Sequence, residues 1–531
     1  MKYILTGRVV TMDADRRVLP RGAVYVDGNT IVAVAAAAAK PLPAGFETAP
    51  KVKTKGIVLP GLIELHNHLS YNILQLWSVP KLFQDRGQWQ RHPEYVRLVN
   101  GPMLNLSKST DPRILSAIAR FAETKCLLGG VTTSQGISLK SEKLQKYYEG
   151  AMRVVESPGE TGFARAQTHI PDLDAKDWAG FNRELKKAHC LLLHLSEGFN
   201  AAALKAFKAL QNEETKEWAI SRALAGIHCA ALGDDEFAVM GANGGSMIWS
   251  PLSNLMLYGR TANITSAKEH GVPIALGSDW SASGSKNLLH ELKVAKVAAE
   301  VNGYGFSDSD LVSLATSTPA AIVKWDQWVG SLAAGKRADL TVISAPATTD
   351  PYSAIIGARE TDVLLIMING NATVGTPALM TALGVNGESL SVGGQPRVIN
   401  YGEGDPDIPP VTHAQAVELL TEALANLPAI PEAPPHLLRA LEAGVKHRWR
   451  LALDEQADTG FALRPMLPYQ GKRTGPDVIR FSVEALAAVP IGPVPLDRVS
   501  VPDDPQYAAN LNAQGNIPDP IKEGLRTFYP L

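Results

Sequence analysis

The sequence predicts an α/β protein built on a parallel (β/α)8 barrel, with a small β-sandwich formed by both flanks of the barrel and a C-terminal extension. Short apolar runs alternate with helical patterns between about residues 113 and 345, as expected for repeated strand–helix units. Strand-like alternation also occurs at residues 3–34 and returns at 330–372. The two flanks are therefore expected to pair with each other.

The chain has 531 residues, which is too long for one simple core. We assign residues 1–55 and 329–375 to the two parts of the β-sandwich, 56–328 to the barrel and 376–531 to the extension. The extension is proline-rich and carries no chemical motif, and helical patterns occur at about 412–426 and 436–453. We interpret it as a wrapping or oligomer-contact segment and expect a homo-oligomer.

The N-terminal region contains a hairpin signal, because Asp27-Gly28 lies between two apolar runs. The barrel then opens with the strand Ile57–His66, which is followed by an insertion at residues 69–112 that is rich in aromatic residues, Trp77 among them. A long connection of this kind is usually functional or disordered, and the aromatic content argues against disorder. A satellite core beneath a loop and an aromatic cap over a site explain it equally well.

The remaining barrel elements follow in order. Helices are predicted at Ile114–Gly129, Glu142–Val155, Trp178–Ala188, Ala201–Leu210, Glu217–Ala225, Asp234–Gly241, Ile264–His270, Asn287–Val301 and Asp308–Val323. Strands are predicted at Val131–Ser134, Phe163–His169, Cys190–Leu195, Gly226–Cys229, Ser246–Ser250 and Pro273–Gly277. With the opening strand these make seven, and we expect the eighth between about residues 69 and 163.

Composition narrows the class of protein. A net charge of −2 gives no basic field for nucleic acid or an anionic membrane. No apolar run approaches the ~18 to 20 residues that a membrane span needs, and the first residues do not form a signal peptide. The three cysteines, at 126, 190 and 229, are few and far apart, which fits a reducing compartment. We therefore expect a cytoplasmic protein that acts on a small molecule.

Polar side chains fall at the C-terminal ends of the predicted strands, where barrel enzymes place their active sites. His66 and His68 end the opening strand, and alternate residues of a strand share a face, so both can reach one metal ion. The other strand-end residues are His194, His228 and Asp279, and Glu197 follows shortly after His194. Three histidines and a carboxylate suit one Zn²⁺ ion, with Fe²⁺ or Mn²⁺ as alternatives. The set indicates hydrolysis by an activated water.

At this point the chain resembles the amidohydrolase superfamily. It is most similar to the mononuclear-metal branch that includes cytosine, guanine and S-adenosylhomocysteine deaminases and triazine hydrolases. The resemblance covers about residues 3–372. Its motifs are Leu59–His68 (LPGLIELHNH), Gly130–Thr133 (GVTT), His194–Glu197 (HLSE), Ser250–Asn254 (SPLSN), Leu276–Asp279 (LGSD) and Gly330–Leu340.

The resemblance implies a role for each matching residue. The metal ligands would be His66, His68, His194 and Asp279, and Asp279 would also accept a proton from the attacking water. His228 would orient that water or polarise the attacked centre. Glu197 would protonate the ring nitrogen or the leaving group. Many dinuclear relatives carry a carboxylated lysine at the end of strand four, and Phe163–His169 contains no lysine, so one metal ion is favoured.

One departure from the family concerns the substrate. A histidine usually precedes the SPLSN element, whereas this chain has Trp249 there. Together with Trp77 in the insertion, this predicts a flat or aromatic substrate. Asn254 and His169 are further candidate substrate contacts, although a structural role for His169 is equally consistent with its position.

Three functions fit these observations. The first is hydrolytic deamination of a cyclic amidine or aminated heterocycle. The second is amide or ring-opening hydrolysis, as in imidazolonepropionase-like or amidase-like relatives. The third is a non-catalytic binding protein with the same fold. The complete ligand set, together with Glu197 and His228, argues against the third function.

Overall fold

The computed structural model of the protein describes residues 1–140, 145–169, 177–427, 449–453 and 491–529, apart from the side chain of His169. The helix expected at 436–453 therefore lies largely outside the described residues. Its described end holds a short strand, Arg450–Leu451, instead.

The chain begins with four strands that belong to one sheet. The central strand β1 pairs with β2 in antiparallel fashion and with β4 in parallel fashion. Gly28, with a left-handed φ of 59°, makes the turn between β2 and β3, so the predicted hairpin is confirmed. The strands are β1 (Lys2–Val10), β2 (Val18–Asp27), β3 (Thr30–Ala36) and β4 (Lys51–Pro60).

Short parallel strands then form two sheets of three and five strands, in the orders β5-β6-β9 and β10-β11-β12-β13-β14. Hydrogen bonds join the sheets at both pairs of edges: Asn67 and Asp279 form a parallel bridge, and Ala166 N donates to Val155 O at 2.9 Å. The strands, with a small hairpin made by β7 and β8, are β5 (Leu62–Glu64), β6 (Val131–Ser134), β7 (Ser138–Lys140), β8 (Gln145–Tyr147), β9 (Arg153–Val154), β10 (Ala166–His169), β11 (Cys190–Leu195), β12 (Leu224–His228), β13 (Ser246–Trp249) and β14 (Ile274–Leu276).

Alternate residues of these strands face two different cores. Leu192, Ile227 and Ile248 pack in one cluster on the inner face of the strands. Their neighbours, such as Leu191 and Met247, pack in a larger cluster with the helices. This two-sided burial explains why the strands are continuously apolar in sequence.

The remaining strands return to the first sheet. β15 pairs antiparallel with β4, so both flanks of the parallel strands meet in one nine-stranded sheet of order β18-β19-β17-β16-β15-β4-β1-β2-β3. This sheet runs beyond the predicted limit of residue 375. The added strands are β15 (Leu340–Ile343), β16 (Val363–Ile368), β17 (Asn371–Gly375), β18 (Glu388–Val392) and β19 (Gln395–Ile399).

Most predicted helices are confirmed within a few residues. Among the described residues, the α-helices are Arg86–Trp89, Pro93–Tyr95, Gly101–Ser107, Pro112–Leu128, Trp178–Leu185, Ala201–Lys208, Asp234–Ala242, Pro251–Tyr258, Ile264–Glu269, Leu288–Asn302, Asp308–Ser313, Ser317–Ile322, Pro351–Gly357, Pro377–Ala382, His413–Ala425, Tyr507–Asn512 and Asp519–Arg526. None of the helices among the described residues is long and apolar enough to cross a membrane.

The predicted helix Glu142–Val155 is wrong wherever the structure describes it. Residues 142–144 are outside the described ranges, and the described part from 145 to 155 holds strands β8 and β9 joined by a loop, and no helix. The backbone N–H groups of Ala151 and Met152 donate to the buried carboxylate of Glu123 instead of to helical carbonyls. The short strand β9 is the eighth parallel strand that the sequence left unplaced.

Two other helix predictions also differ from the structure. Residues 217–223 are not helical, because the chain folds back and Ala219 N donates to Leu210 O at 2.7 Å. The predicted helix Asp308–Val323 is two helices, since Pro319 has no N–H to continue the first one. The freed carbonyl of Ala315 accepts from Ile63 N at 2.9 Å and so anchors the first parallel strand.

Candidate metal centre

Five predicted side chains converge at the ends of the parallel strands. Nε2 of His66 and Nε2 of His68 each lie 3.4 Å from Oδ1 of Asp279. Nε2 of His194 lies 3.2 Å from Nε2 of His66. Nε2 of His228 lies 4.0 Å from Oδ2 of Asp279. Two overlapping groups have all their ligand atoms within 4.8 Å of one another: His66, His194 and His228, and His66, His68 and Asp279.

Burial determines the charge of these imidazoles. His66, His194 and His228 are almost fully buried, and desolvation lowers the pKa of each well below the ordinary value. A neutral imidazole has a free lone pair and is the form that binds a metal ion. The donor set therefore fits one divalent cation of the Zn²⁺, Fe²⁺ or Mn²⁺ type.

The backbone is strained where it presents two of these groups. His228 follows the inward-facing Ile227, so an ideal strand would turn its side chain toward the helices. A left-handed φ of 65° redirects it, and Asp279 has a similar φ of 66°. Such conformations cost ~1–3 kcal/mol for a non-glycine residue and cluster at functional sites.

Hydrogen bonds fix the first histidine. Nδ1 of His66 lies 2.7 Å from the hydroxyl of Ser250, which directs Nε2 toward the other ligand atoms. Partners on the second ring nitrogen commonly orient metal-binding histidines in this way. Ser250 belongs to the SPLSN element and is a site residue that the sequence reasoning did not single out.

The carboxylate of Glu197 uses its two oxygens differently. Oε1 accepts from the hydroxyl of Tyr258 at 2.8 Å and from Nε1 of Trp89 at 3.3 Å. Oε2 lies 3.7 Å from Nε2 of His228 and 3.6 Å from Nε of Arg86. Oε2 is thus the oxygen that faces the cluster. Arg86 and Trp89 come from the aromatic insertion, and their spacing in sequence gave no sign of this contact.

A chain of hydrogen bonds sets the tautomer of His228. The indole Nε1 of Trp249, which can only donate, bonds to Oγ1 of Thr261 at 2.6 Å. Thr261 can then donate its own proton to Oδ1 of Asn254, at 3.4 Å, which turns the Asn254 amide nitrogen toward Nδ1 of His228 at 3.2 Å. Nδ1 is therefore the acceptor, and Nε2 of His228 carries the proton.

The structure places Trp249, a predicted substrate contact, on the outer face of its strand. Trp249 packs on the helix side of β13, in the same cluster as Met247, with its ring 5.9 Å from that of Tyr304. The alternation of the strand turns Ser250 inward and Trp249 outward. Asn254, also expected to bind substrate, is buried behind His228 instead.

The aromatic ring beside the cluster belongs to Trp280, whose centroid is 5.5 Å from that of His68. Trp280 contacts Tyr95 at 6.2 Å, and Tyr95 contacts Trp77 at 5.9 Å. Trp77 therefore lies two rings away from the nearest candidate ligand. The side chain of His169 lies outside the described residues, so its predicted contact stays a prediction.

The insertion covers the cluster in this structure. Arg86 N donates to Glu197 O at 3.3 Å, Phe199 N donates to Gln84 O at 2.8 Å, and Phe83 N donates to Leu257 O at 2.9 Å. These bonds tie the insertion to the loops after β11 and to the helix after β13. Of the two interpretations of the insertion, the aromatic cap agrees with this arrangement.

Comparisons with known proteins support the resemblance that the motifs suggested. Residues 179–373 match the amidohydrolase family. The 5-methylthioadenosine/S-adenosylhomocysteine deaminase of Symbiobacterium thermophilum is 24% identical over 419 residues, which cover 68% of this chain and 91% of that protein. The protein of the same name from Syntrophobacter fumaroxidans is 24% identical over 71% of this chain and 94% of its own length.

Solved structures agree on the fold. A triazine hydrolase of Arthrobacter aurescens superimposes with a TM-score of 0.54 at 19% identity, over 72% of this chain and 98% of its own. The guanine deaminase of E. coli gives a TM-score of 0.54 at 15% identity, over 70% and 99%. An atrazine chlorohydrolase of A. aurescens was solved with zinc and atraton. It gives a TM-score of 0.54 at 20% identity, over 70% of this chain and 95% of its own. These likenesses confirm a TIM-barrel-like fold.

Proposed function

We propose that this chain, which carries a domain of the amidohydrolase family, is a metal-dependent hydrolase that deaminates an aminated heterocycle or cyclic amidine. The observation that carries the proposal is the convergence of four histidines and Asp279 beside the carboxylate of Glu197. The curated relatives named as deaminases support the same reaction class.

The ligand set we propose is His66, His68, His194 and Asp279. His228 is left out because its Nε2 carries the proton and has no lone pair to offer a metal ion. We infer one ion per chain, Zn²⁺ in preference to Fe²⁺ or Mn²⁺. When bound, such an ion lowers the pKa of a coordinated water toward ~7 and makes it a nucleophile at neutral pH.

His228 and Asp279 would have different roles in the proton transfers. The Nε2–H of His228 points at the space between Asp279 and Glu197, where it can donate to the oxygen that becomes negative during attack. Oδ2 is the Asp279 oxygen that faces His228, and it can accept the proton that the water loses.

Glu197 would deliver a proton to the ring nitrogen or to the departing amine. Its Oε1 is engaged by Tyr258 and Trp89, so the proton must travel on Oε2. The ring of Trp280 supplies a flat apolar wall beside the cluster, which suits an aromatic substrate.

The proposal includes the architecture around the site. We infer that the two parallel sheets form one closed (β/α)8 barrel over residues 56–328, because hydrogen bonds join both pairs of their edges. The flanking segments, 1–55 and 329–375, would make the β-sandwich together with strands β18 and β19, and the rest of residues 376–531 would form the extension. A homo-oligomer with a small-molecule substrate stays part of the proposal.

Metal analysis followed by a substrate panel tests this function. Ammonia release would be measured with aminopurines, pterins, aminotriazines and small amides. We expect release from a heterocyclic amine and little from the amides. Turnover of amides alone would favour the amidase alternative, and metal at full occupancy without any product would favour a binding protein.

A further inference from the structure

Two lysines are buried side by side next to the candidate metal centre. Lys125, on the helix Pro112–Leu128, is fully buried, and Lys286, just before the helix Leu288–Asn302, is 3% exposed. Removing an ammonium group from water is costly unless an anion accompanies it. Both lysines therefore need a buried counter-charge.

Asp497, from the C-terminal extension, pairs with both lysines, and Asp504 lies 3.0 Å from Lys286 as a second carboxylate. Oδ2 of Asp497 bonds to Lys125 Nζ, and its Oδ1 lies 2.5 Å from Lys286 Nζ. Burial by itself would raise the pKa of the Asp497 carboxyl, but the two lysines outweigh burial and hold that pKa below its ordinary value. Burial also lowers the pKa of Lys125 to about 8, in spite of the carboxylate.

Lys125 ties this charge to the two loops that carry candidate ligands. Its Nζ donates to Asn72 O at 2.9 Å and to Ser281 Oγ at 2.5 Å, besides Asp497. An ammonium group has three protons, and these three acceptors use all of them. Asn72 follows His68 by four residues, and Ser281 follows Asp279 by two.

The same network reaches the residue between the first two histidines. Asn72 Oδ1 accepts from the backbone N of Ser281 at 2.9 Å, and Asn72 Nδ2 donates to Asn67 Oδ1 at 2.8 Å. The loop after β5 and the loop after β14 are thus linked to each other and to Lys125. A change in the charge state or position of Lys125 would be felt by both loops.

We propose that Asp497 is a positioning residue for the metal centre, holding Lys125 so that the loops of His68 and Asp279 keep their ligand geometry. This inference rests on the metal centre of the proposed function. The similarity to the triazine hydrolase covers 98% of that protein but 72% of this chain. More than a quarter of this chain therefore has no counterpart in that protein. In this proposal the extension helps to position the metal ligands, in addition to packing against the rest of the protein.

Asp497→Asn tests the charge without removing the segment, since the backbone bond from Asp497 N to Ile73 O at 2.8 Å remains available. The readouts are the affinity of the metal-free protein for Co²⁺ and the visible absorption spectrum of the Co²⁺ form, which reports ligand geometry. We expect an affinity loss of ~10-fold or more, the scale found when outer partners of metal ligands are removed, and a changed spectrum.

Asp405→Asn is the matched control. Asp405 is also a buried carboxylate of the C-terminal region, and it pairs with Lys146 at 2.6 Å on strand β8. Lys146 lies on the β7–β8 hairpin and has no bond to either ligand loop among the described contacts. We expect the Co²⁺ affinity and spectrum of this variant to match the unmodified protein.

Ser281→Ala removes the direct bond from Lys125 to the Asp279 loop and leaves the Asp497 pair intact, so it decides the question even if Asp497→Asn does not fold. We expect a spectral change in the same direction as for Asp497→Asn. Unchanged affinity and spectrum in Ser281→Ala, or in a folded Asp497→Asn, would overturn the inference. Failure of the unmodified protein to bind Co²⁺ would instead refute the proposed metal centre on which the inference depends.

Discussion

Glu197→Gln tests whether Glu197 delivers a proton, and it keeps the hydrogen bonds that hold this side chain in the site. The glutamine oxygen can take the place of Oε1 and keep both donors, Tyr258 at 2.8 Å and Trp89 at 3.3 Å. The amide nitrogen then replaces Oε2, the oxygen that faces His228, and it cannot carry a proton to the substrate. We expect kcat to fall by ~10²–10⁴-fold, which corresponds to about 2.7–5.4 kcal/mol of barrier.

The assay is ammonia release with the best substrate of the panel, together with metal content by elemental analysis. Metal content should stay at the unmodified level, because Glu197 is not in the proposed ligand set. Glu217→Gln, at an exposed carboxylate that pairs with Lys186, should change neither quantity. Loss of metal in Glu197→Gln, or retention of more than about a tenth of kcat, would refute the reasoning.

Three further variants test the ligand set, the tautomer of His228 and the stability contributed by a buried carboxylate. His194→Ala should lower the metal content well below one ion per chain, whereas His189→Ala, at an exposed position, should not; unchanged occupancy would remove His194 from the ligand set. Thr261→Val leaves the Trp249 indole N–H and Asn254 without their shared partner. We expect a loss of ~1–3 kcal/mol in unfolding free energy and a lower kcat at similar KM. Unchanged kcat would show that the tautomer of His228 does not depend on this chain of bonds. Glu291 lies on the helix Leu288–Asn302 and accepts from Leu252 N at 3.2 Å, and burial raises its pKa to about 8. Between the unfolded value of 4.5 and about 8 the folded state holds the extra proton, so stability falls as pH rises. Glu291→Gln should reduce that slope by up to ~1.4 kcal/mol per pH unit in urea unfolding series, and an identical slope would contradict the assignment.

The candidate site residues that the structure brings together share a simple local signal. His66, His68, His194, His228 and Asp279 each follow a short apolar run, and the C-terminal ends of parallel strands meet at one face of the fold. That geometry depends on strand direction alone. It could therefore be predicted without knowing how the helices pack.

The errors arise where long-range contacts outweigh local preference. Tyr147 and Val154 lie in a stretch with helical periodicity, yet Glu123, 28 residues before Ala151, captures the backbone donors that a helix would use. Arg86 reaches Glu197 across more than 100 residues of sequence. Ser250 faces the candidate ligands and Trp249 does not, because a shift of one residue along a strand turns a side chain to the opposite face.

The nine-stranded sheet has a consequence for how the chain folds during synthesis. β4 pairs with β15, so Leu59 finds its partner Thr341 only after nearly 300 further residues have been made. The bond between Lys125 and Asp497 spans 372 residues. Contacts of such separation slow folding, because loop closure precedes any stabilising contact. A nascent chain that has completed its parallel strands therefore still exposes the edge of β4, and its Lys125 and Lys286 still lack the carboxylate of Asp497.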